Sequence, residues 1–231
     1  MASVVAIMAR APSLIGKSRL IQELGIRDGT GLRLALLRDT LESVSALGGE
    51  KAMLYTPPGG EAEIRALTPF PAVFLPQRGM TLGDRMREGG RQLLAYGFDG
   101  VALIGSDLPT LPTTHVSAAL GWLTQRRDGV VLGPSQDGGY YLIGLRRWPA
   151  QLFEHIPWGT PLVLRRTLEV AATLGMPVEL LPTWYDVDSA RDLRRVWQAS
   201  EARNGPGRYT RAWLRAAGPG VRARVEIDEM R

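Results

Sequence analysis

The sequence lacks cysteine altogether and has only two histidines among its 231 residues. Without cysteine, the chain can form neither disulfides nor thiolate metal sites. A metal site would therefore have to use oxygen ligands, which favours Mg²⁺, Mn²⁺ or Ca²⁺ over zinc. Hydrophobic residues make up 45% of the chain and charged residues 22%, which is the composition of an ordinary globular domain. An α/β chain of this length is commonly a single domain.

Lysine is also scarce, because Lys17 and Lys51 are the two lysines among 28 basic residues. The net charge of +5 is concentrated near the C-terminus, where six arginines accompany three acids between residues 204 and 231. No basic stripe interleaved with aromatic residues runs along the rest of the chain. These patterns argue against a nucleic-acid partner.

Hydrophobic runs long enough for a membrane span are missing. Residues 1–9 carry no positively charged leader and are too short for a signal peptide or a span. We therefore expect a cytoplasmic protein that acts on small molecules.

Strand-like and helical segments alternate along the chain. Strand patterns occur at about 3–9, 51–56, 72–76, 101–105, 129–133 and 177–181. Helical patterns occur at about 31–47, 61–67, 82–96, 113–125, 160–174 and 189–202. This alternation predicts a mostly parallel sheet between two helical layers, a three-layer α/β/α fold.

Two departures from that rhythm are informative. Residues 139–145 follow the strand pattern at 129–133 after a glycine-rich turn and without a helix, which predicts an antiparallel insertion and a mixed sheet. Residues 204–231 contain several glycines and prolines, so we predict a domain over 1–203 followed by a basic appendage outside the core. Such an appendage could pack on a partner protein, and a homo-oligomer is one form that this could take.

The apolar run over residues 101–105 leads into Ser106 and Asp107. Continuous apolar runs of this length suit central strands, and ligands of open α/β sheets bind beyond the carboxyl ends of such strands. Asp107 is therefore a candidate ligand-binding residue. The alternative is that it caps the helix that begins near Thr113.

The loop after the first strand pattern carries Arg10, Gly16, Lys17 and Arg19. Backbone amides and cations in such a loop can bind phosphate oxygens. It is not a Walker loop, because Ala11 occupies the position of the required second glycine. The alternative reading of Lys17 is an ordinary surface lysine.

Two later clusters add acidic residues. Asp137, Gly138 and Gly139 form a hairpin-turn pattern that could also approach a ligand closely. Asp186 and Asp188 lie on the same side of an extended segment. Ser189 or Asp188 could equally cap the following helix. We expect one of the two aspartates to cap it and the other to form an Mg²⁺ or Mn²⁺ site with Asp107.

Four of these motifs together resemble a known family. The motifs are residues 16–20 (GKSRL), 106–109 (SDLP), 137–141 (DGGYY) and 186–188 (DVD). In this order they resemble a bacterial family of small transferases of the nucleotide-diphospho-sugar transferase superfamily, labelled glycosyltransferases and including an arsenosugar-biosynthesis type. Residues 3–200 are also similar to 2-phospholactate guanylyltransferases, which share an arginine and an aspartate in the next helix, here Arg33 and Asp39.

The resemblance implies a Rossmann-like fold of the GT-A type and roles for particular residues. Asp107 with Asp188 or Asp186 would bind the metal, and Lys17 and Arg19 would face the nucleotide phosphates. The resemblance also implies that Gly79, Gly83 and Arg85 lie near the nucleotide, with an ordinary helix start as the alternative, and that Trp158 lies over the acceptor, with a packed loop aromatic as the alternative. The other expected substrate contacts are Arg10, Gly16, Ser106, Gly138 and Gly139. Asp137 would position or deprotonate the acceptor.

The expected function is a metal-dependent transferase that uses a nucleotide-activated donor, with a nucleotide-sugar glycosyltransferase as the first choice. One alternative is a nucleotidyltransferase acting on a small phosphorylated acceptor. Against it, the glycine-rich signature of sugar nucleotidyltransferases is reduced here to Gly16. The second alternative is a non-catalytic nucleotide-binding module.

Overall fold

The computed structural model describes residues 2–14, 16–126, 128–199 and 205–226. Within these residues, seven strands form one sheet. The strands are β1 Ser3–Arg10, β2 Glu50–Thr56, β3 Val73–Pro76, β4 Gly100–Gly105, β5 Val130–Pro134, β6 Tyr140–Leu145 and β7 Val178–Leu180. Their order across the sheet is β3-β2-β1-β4-β6-β5-β7.

The helices lie between the strands and after them. They are α1 Ser18–Glu23, α2 Thr30–Ser45, α3 Glu61–Leu67, α4 Leu82–Tyr96, α5 Thr113–Gln125, α6 Val163–Thr173, α7 Ala190–Gln198, α8 Arg208–Ala216 and α9 Pro219–Val225. Among the described helices, none has the length and apolar character needed to span a membrane.

The sheet is mixed because β6 runs antiparallel to both of its neighbours, β4 and β5. The other strand pairs are parallel. Without an intervening helix, the short turn after β5 can return the chain only as an antiparallel neighbour. The predicted three-layer fold with a mostly parallel mixed sheet is therefore confirmed.

The side chains of β1 alternate between the two helical layers. Val5 and Ile7 belong to the cluster that contains the buried side chains of α2 and α5, whereas Val4 and Ala6 belong to the cluster formed with α4 and α6. All four are fully buried. Burial on both faces explains why β1 and β4 read as continuous apolar runs.

Helix α1 was not predicted from the sequence. It has six residues, of which Leu20 is the buried one, so it carries no apolar period that could be recognised. Helix α7 ends at Gln198, and positions 200–202 of the predicted helix lie outside the described residues.

The described part of the C-terminal segment forms α8 and α9. Leu214, Val221 and Val225 are buried in a third apolar cluster together with Leu32 and Leu36 of α2. The segment thus packs on its own chain, in contrast to the expected appendage outside the core, because the apolar residues between its arginines fall on one side of each helix. The predicted boundary between residues 203 and 204 lies outside the described residues.

Candidate active site

The site is built around Lys17, the N-cap residue of α1. Its ammonium nitrogen Nζ lies 3.0 Å from Oδ2 of Asp107 and also contacts Oδ1 of Asp188. The Lys17 backbone has φ 56° and ψ 34°, the left-handed conformation that residues other than glycine seldom adopt. With this backbone conformation, the Lys17 side chain lies between the two carboxylates.

The charges of this group support one another. Burial of Lys17 acts to lower its pKa, but the carboxylates of Asp107 and Asp188 outweigh burial and hold that pKa above its usual value. Burial conversely acts to raise the pKa of Asp188, and Lys17 keeps it below the usual value. The lysine and Asp188 are therefore both charged at neutral pH.

Asp186 is the third carboxylate of this group, and its pKa is shifted in the opposite direction from that of Asp188. Burial, followed by the charge of Asp188, raises the pKa of Asp186 from 3.8 to about 6. The Oγ of Ser135 donates a hydrogen bond to Asp186 Oδ1 at 3.1 Å. The raised pKa of Asp186 therefore reflects its burial first and the neighbouring negative charge second.

Backbone contacts hold the acidic segments together. The Val187 amide donates to the Asp107 carbonyl at 3.0 Å, so the loop after β4 and the segment after β7 are joined directly. The Thr40 hydroxyl of α2 donates to the Ser106 carbonyl at 3.0 Å and accepts the Leu108 amide at 3.1 Å. The orientation of Asp107 thus depends on a buried threonine that the sequence did not single out.

The capping alternatives for the aspartates are not realised. Helix α5 begins after Pro112 with no side-chain cap, so Asp107 does not cap it. Ser189 caps α7, and Asp192 completes a capping box with it. The expectation that Asp186 or Asp188 would cap this helix is wrong, because the Ser189 hydroxyl already fills that position.

A cavity of about 640 Å³ opens beside these carboxylates. The predicted site residues among its lining are Arg19, Asp107, Asp137, Gly139, Trp158, Asp186 and Asp188. Leu82, Met86, Tyr140 and Val163 also line it and give it apolar walls. Volumes of this size hold nucleotide- or sugar-sized molecules.

Other predicted residues support the cavity from outside its lining. A side chain at Gly83 would place a Cβ 2.5 Å from Nε1 of Trp158, so glycine is required for the indole to lie there. Gly138 has φ 90°, and a Cβ there would lie 2.2 Å from the Pro161 carbonyl. Its own carbonyl accepts the Leu164 amide at 2.9 Å, which ties the β5–β6 turn to α6.

The remaining predicted residues lie on two neighbouring loops. A Cβ at Gly16 would be 3.5 Å from Arg33 Cδ and 3.6 Å from Arg10 Cδ, so these three residues lie together beside α1. Gly79 accepts a hydrogen bond from Arg85 Nε at 3.1 Å. Both loops lie beyond the carboxyl ends of β1 and β3, respectively.

Arg33 and Asp39, the two α2 residues matched by the resemblance to guanylyltransferases, make structural contacts. Arg33 donates to the carbonyls of Pro12 and Gly16, at 2.9 and 3.3 Å, and so fixes the loop that precedes Lys17. Asp39 accepts the amides of Tyr209 and Thr210, both at 2.8 Å, at the start of α8.

The donor set fits a hard divalent cation, although the cation site is not assembled as it stands. Asp107, Asp186 and Asp188 offer carboxylate oxygens of the kind that Mg²⁺ and Mn²⁺ prefer. Within the described part of the chain, no three potential metal ligands are grouped closely enough to hold an ion. The reason is visible in the geometry, since the Lys17 ammonium lies between two of the three carboxylates.

A family profile described as "Uncharacterized protein conserved in bacteria" (DUF2064) matches residues 40–160, which is more than half of the chain. The chain belongs to the DUF2064 family. The match includes Asp107 and Asp137, whereas Lys17, Asp186 and Asp188 lie outside it. Among curated proteins the sequence has no significant match.

Solved structures share the fold. A protein from Desulfovibrio desulfuricans G20, with the proposed activity of a nucleotide-diphospho-sugar transferase, is 29% identical over 97% of this chain and 99% of its own, with a TM-score of 0.84. CMP:2-keto-3-deoxy-manno-octonic acid synthetase in complex with CTP is 15% identical, covers 86% and 98% of the two chains, and has a TM-score of 0.56. Rv0371c of Mycobacterium tuberculosis H37Rv, in complex with manganese, is 17% identical over 87% and 100%, with a TM-score of 0.51. The DUF2064 chain thus has the fold of nucleotidyl- and nucleotide-sugar transferases.

Proposed function

We propose that the protein is a metal-dependent transferase that uses a nucleotide-activated donor, and that its reaction is glycosyl transfer from a nucleotide sugar. The observation that carries this proposal is the group of carboxylates around Lys17 at the carboxyl edge of the sheet, beside a cavity of about 640 Å³. Ligands of open α/β sheets bind at this edge. The proposed activity of the neighbour from Desulfovibrio supports the nucleotide-sugar donor.

Asp107, Asp186 and Asp188 would hold the metal, Mg²⁺ or Mn²⁺, and the manganese complex of Rv0371c supports that choice. The bound ion would neutralise negative charge on the diphosphate leaving group. Burial and the negative charge of Asp188 raise the pKa of Asp186, and a bound cation would lower that pKa by stabilising the ionised carboxylate.

Lys17 and Arg19 would contact the donor phosphates. Lys17 is already charged, and it needs only to exchange its carboxylate partners for phosphate oxygens. Arg19, the second residue of α1, lines the cavity. Positioned cations of this kind stabilise charge that develops during transfer without changing their own protonation.

The transfer step needs one proton acceptor. The acceptor hydroxyl oxygen would bond to the anomeric carbon of the sugar while the bond from that carbon to the diphosphate oxygen breaks. Asp137, an exposed carboxylate in the cavity lining, would take the hydroxyl proton. The products are the glycosylated acceptor and a nucleoside diphosphate.

Nucleotidyl transfer is the second candidate, and the CTP complex of the octonic acid synthetase favours it. In that reaction a nucleoside triphosphate would release pyrophosphate. The structural contacts of Arg33 and Asp39 count against the guanylyltransferase version, because Arg33 donates to backbone carbonyls of the loop before Lys17 and Asp39 accepts amides at the start of α8. The arsenosugar-biosynthesis type of the similar family would be one case of such a glycosyl transfer. The proposed location of the protein is the cytoplasm.

The test is calorimetry with a panel of nucleoside triphosphates and nucleotide sugars, with and without Mn²⁺, followed by product analysis. We expect a nucleotide sugar to bind in the presence of Mn²⁺ and to be converted to nucleoside diphosphate. Pyrophosphate release from a triphosphate would establish the second candidate instead. Nucleotide binding that is equal with the metal chelated and in Asp107→Asn would indicate a non-catalytic binding module.

A further inference from the structure

The cavity also has an aromatic end with its own chemistry. Its wall is formed by Trp158 and Tyr140, whose rings meet edge-to-face with centroids 6.3 Å apart and planes at 83°. Leu82 and Met86 of α4 extend the apolar surface, and Leu82 is 49% exposed. This end therefore offers an aromatic wall beside further apolar side chains.

A carboxylate accompanies that wall. Asp137 lies in the β5–β6 turn, and its Oδ1 accepts the Gly139 amide at 2.9 Å. Its Oδ2 accepts no hydrogen bond from a described residue. The same turn is tied to α6 by the bond between the Leu164 amide and the Gly138 carbonyl, so the carboxylate belongs to a supported loop.

The charges that line the cavity are strongly biased. Four acids, Asp107, Asp137, Asp186 and Asp188, stand against one arginine, Arg19. Lys17 adds a second cation at the metal end, where it is already paired with Asp107 and Asp188. A divalent metal ion and Lys17 would together balance Asp107, Asp186 and Asp188, which leaves Asp137 and Arg19 as the remaining charges of the lining.

We infer that the aromatic end is the acceptor subsite and that it takes a neutral, hydroxyl-bearing ring and discriminates against phosphorylated acceptors. The apolar face of such a ring would lie on the Trp158 indole, and one of its hydroxyls would donate to Asp137. A phosphate in place of that hydroxyl would meet the Asp137 carboxylate, which forms no ion pair among the described residues. This inference rests on the proposed function and names its acceptor class.

The experiment uses protein labelled with 5-fluorotryptophan and ¹⁹F NMR in EDTA, so that no metal ion attracts the phosphate. The probes are methyl glucopyranoside and its 6-phosphate, which share a ring and differ in charge. Trp158→Phe identifies the Trp158 resonance. Trp148, which is buried against Phe153, provides an internal resonance that should not respond.

We expect the neutral glucoside to shift the Trp158 resonance, and the phosphate to bind about ten-fold more weakly, as one like-charged contact in a partly solvated site predicts. Asp137→Asn should narrow that difference and Asp137→Lys should reverse it. Asp128→Asn removes an exposed carboxylate that is paired with Arg147 outside the cavity, and should leave both affinities unchanged.

Equal or tighter binding of the phosphate to the unaltered protein would overturn the inference, and so would a Trp158 resonance that responds to neither probe. Discrimination that persists in Asp137→Asn would show that Asp137 is not its cause. The proposed function is tested separately, by metal-dependent nucleotide binding in calorimetry. If that binding is absent, the proposed function fails, but the Trp158 measurement without metal still tests the acceptor subsite.

Discussion

The carboxylate of Asp39 and the carboxylates around Lys17 differ in how many hydrogen-bond donors the fold provides for them. Asp39 is 2% exposed, and it accepts hydrogen bonds from the amides of Tyr209 and Thr210 and from the Thr210 hydroxyl, the last at 2.6 Å. Asp107 and Asp188, in contrast, share a single ammonium group, and Asp186 has one hydroxyl donor.

The difference lies in how many donors each carboxylate has. A buried carboxylate is tolerated when its oxygens are satisfied, and the start of α8 does this for Asp39. Burial raises the pKa of Asp39, while its hydrogen bonds to Thr210 and Tyr209 oppose that rise. The hydrogen bonds of Asp39 thus join α2 to the start of α8, whereas the carboxylates around Lys17 have fewer donors and retain the capacity to bind a cation.

The largest effect should come from Asp39→Asn. The asparagine would direct an NH₂ group toward amides that need an acceptor, and the free energy of unfolding should fall by about 3 kcal/mol. Denaturant unfolding measures the change. Asp28→Asn, at an exposed carboxylate that accepts the Thr30 amide, is the matched control and should have a clearly smaller effect. Equal effects of the two variants would remove the distinction between Asp39 and an ordinary surface acid.

Asp107→Asn, unlike Asp39→Asn, should affect metal binding strongly and stability only slightly. Loss of one of the proposed ligands should weaken Mn²⁺ binding by about 100-fold, on the scale of metal-site substitutions, while unfolding changes by under ~1 kcal/mol. Calorimetric titration with Mn²⁺ gives the affinity, and Asp128→Asn is the charge-matched control. If Mn²⁺ binds Asp107→Asn as tightly as it binds the unaltered protein, the ion is held elsewhere.

Acidification should weaken Mn²⁺ binding, because a proton on Asp186 competes with the metal. With a pKa of about 6, the ionised fraction falls about ten-fold between pH 7 and pH 5, and the affinity should follow it. The raised pKa of Asp186 also determines how the free energy of unfolding changes with pH when no metal is bound. A raised carboxyl pKa stabilises the fold at low pH, and this contribution is lost as the pH rises through 6.

Mn²⁺ titrations and denaturant unfolding at both pH values test this pair of expectations. Asp186→Asn should remove the Asp186 component of the pH dependence of stability. A pH profile of unfolding that is identical in Asp186→Asn and the unaltered protein would show that Asp186 does not titrate in this range.

Lys17→Met should produce the smallest change. Removal of the ammonium frees Asp107 and Asp188, so Mn²⁺ alone should bind a few-fold more tightly, while the nucleotide, which loses a cation for its phosphates, should bind more weakly. Lys51→Met is the matched control, because Lys51 donates to the carbonyls of Leu47 and Gly49. Weaker Mn²⁺ binding in Lys17→Met would contradict competition between the lysine and the metal.

The sequence was sufficient for the layers of the fold and for the acidic residues of the site. The apolar run before Asp107 indicates a buried strand, and the alternation in 186–188 places two aspartates on one side of an extended segment. Both patterns are local, so they can be recognised in the sequence alone. The pairing of Lys17 with Asp107 and Asp188 was not visible, because it depends on the left-handed backbone at Lys17. The use of Asp39 at α8 was hidden for a similar reason, as the contact spans 170 positions.

The contact between Lys17 and Asp188 joins residues 171 positions apart in the chain. Closing so large a loop is slow and entropically costly, so this contact is among the last that a folding chain can make. During synthesis, β1 and its lysine leave the ribosome long before the aspartates that they meet. Charge neutralisation at the sheet edge therefore waits for the C-terminal third of the polypeptide, and a chain that stops before β7 would leave Lys17 without Asp188.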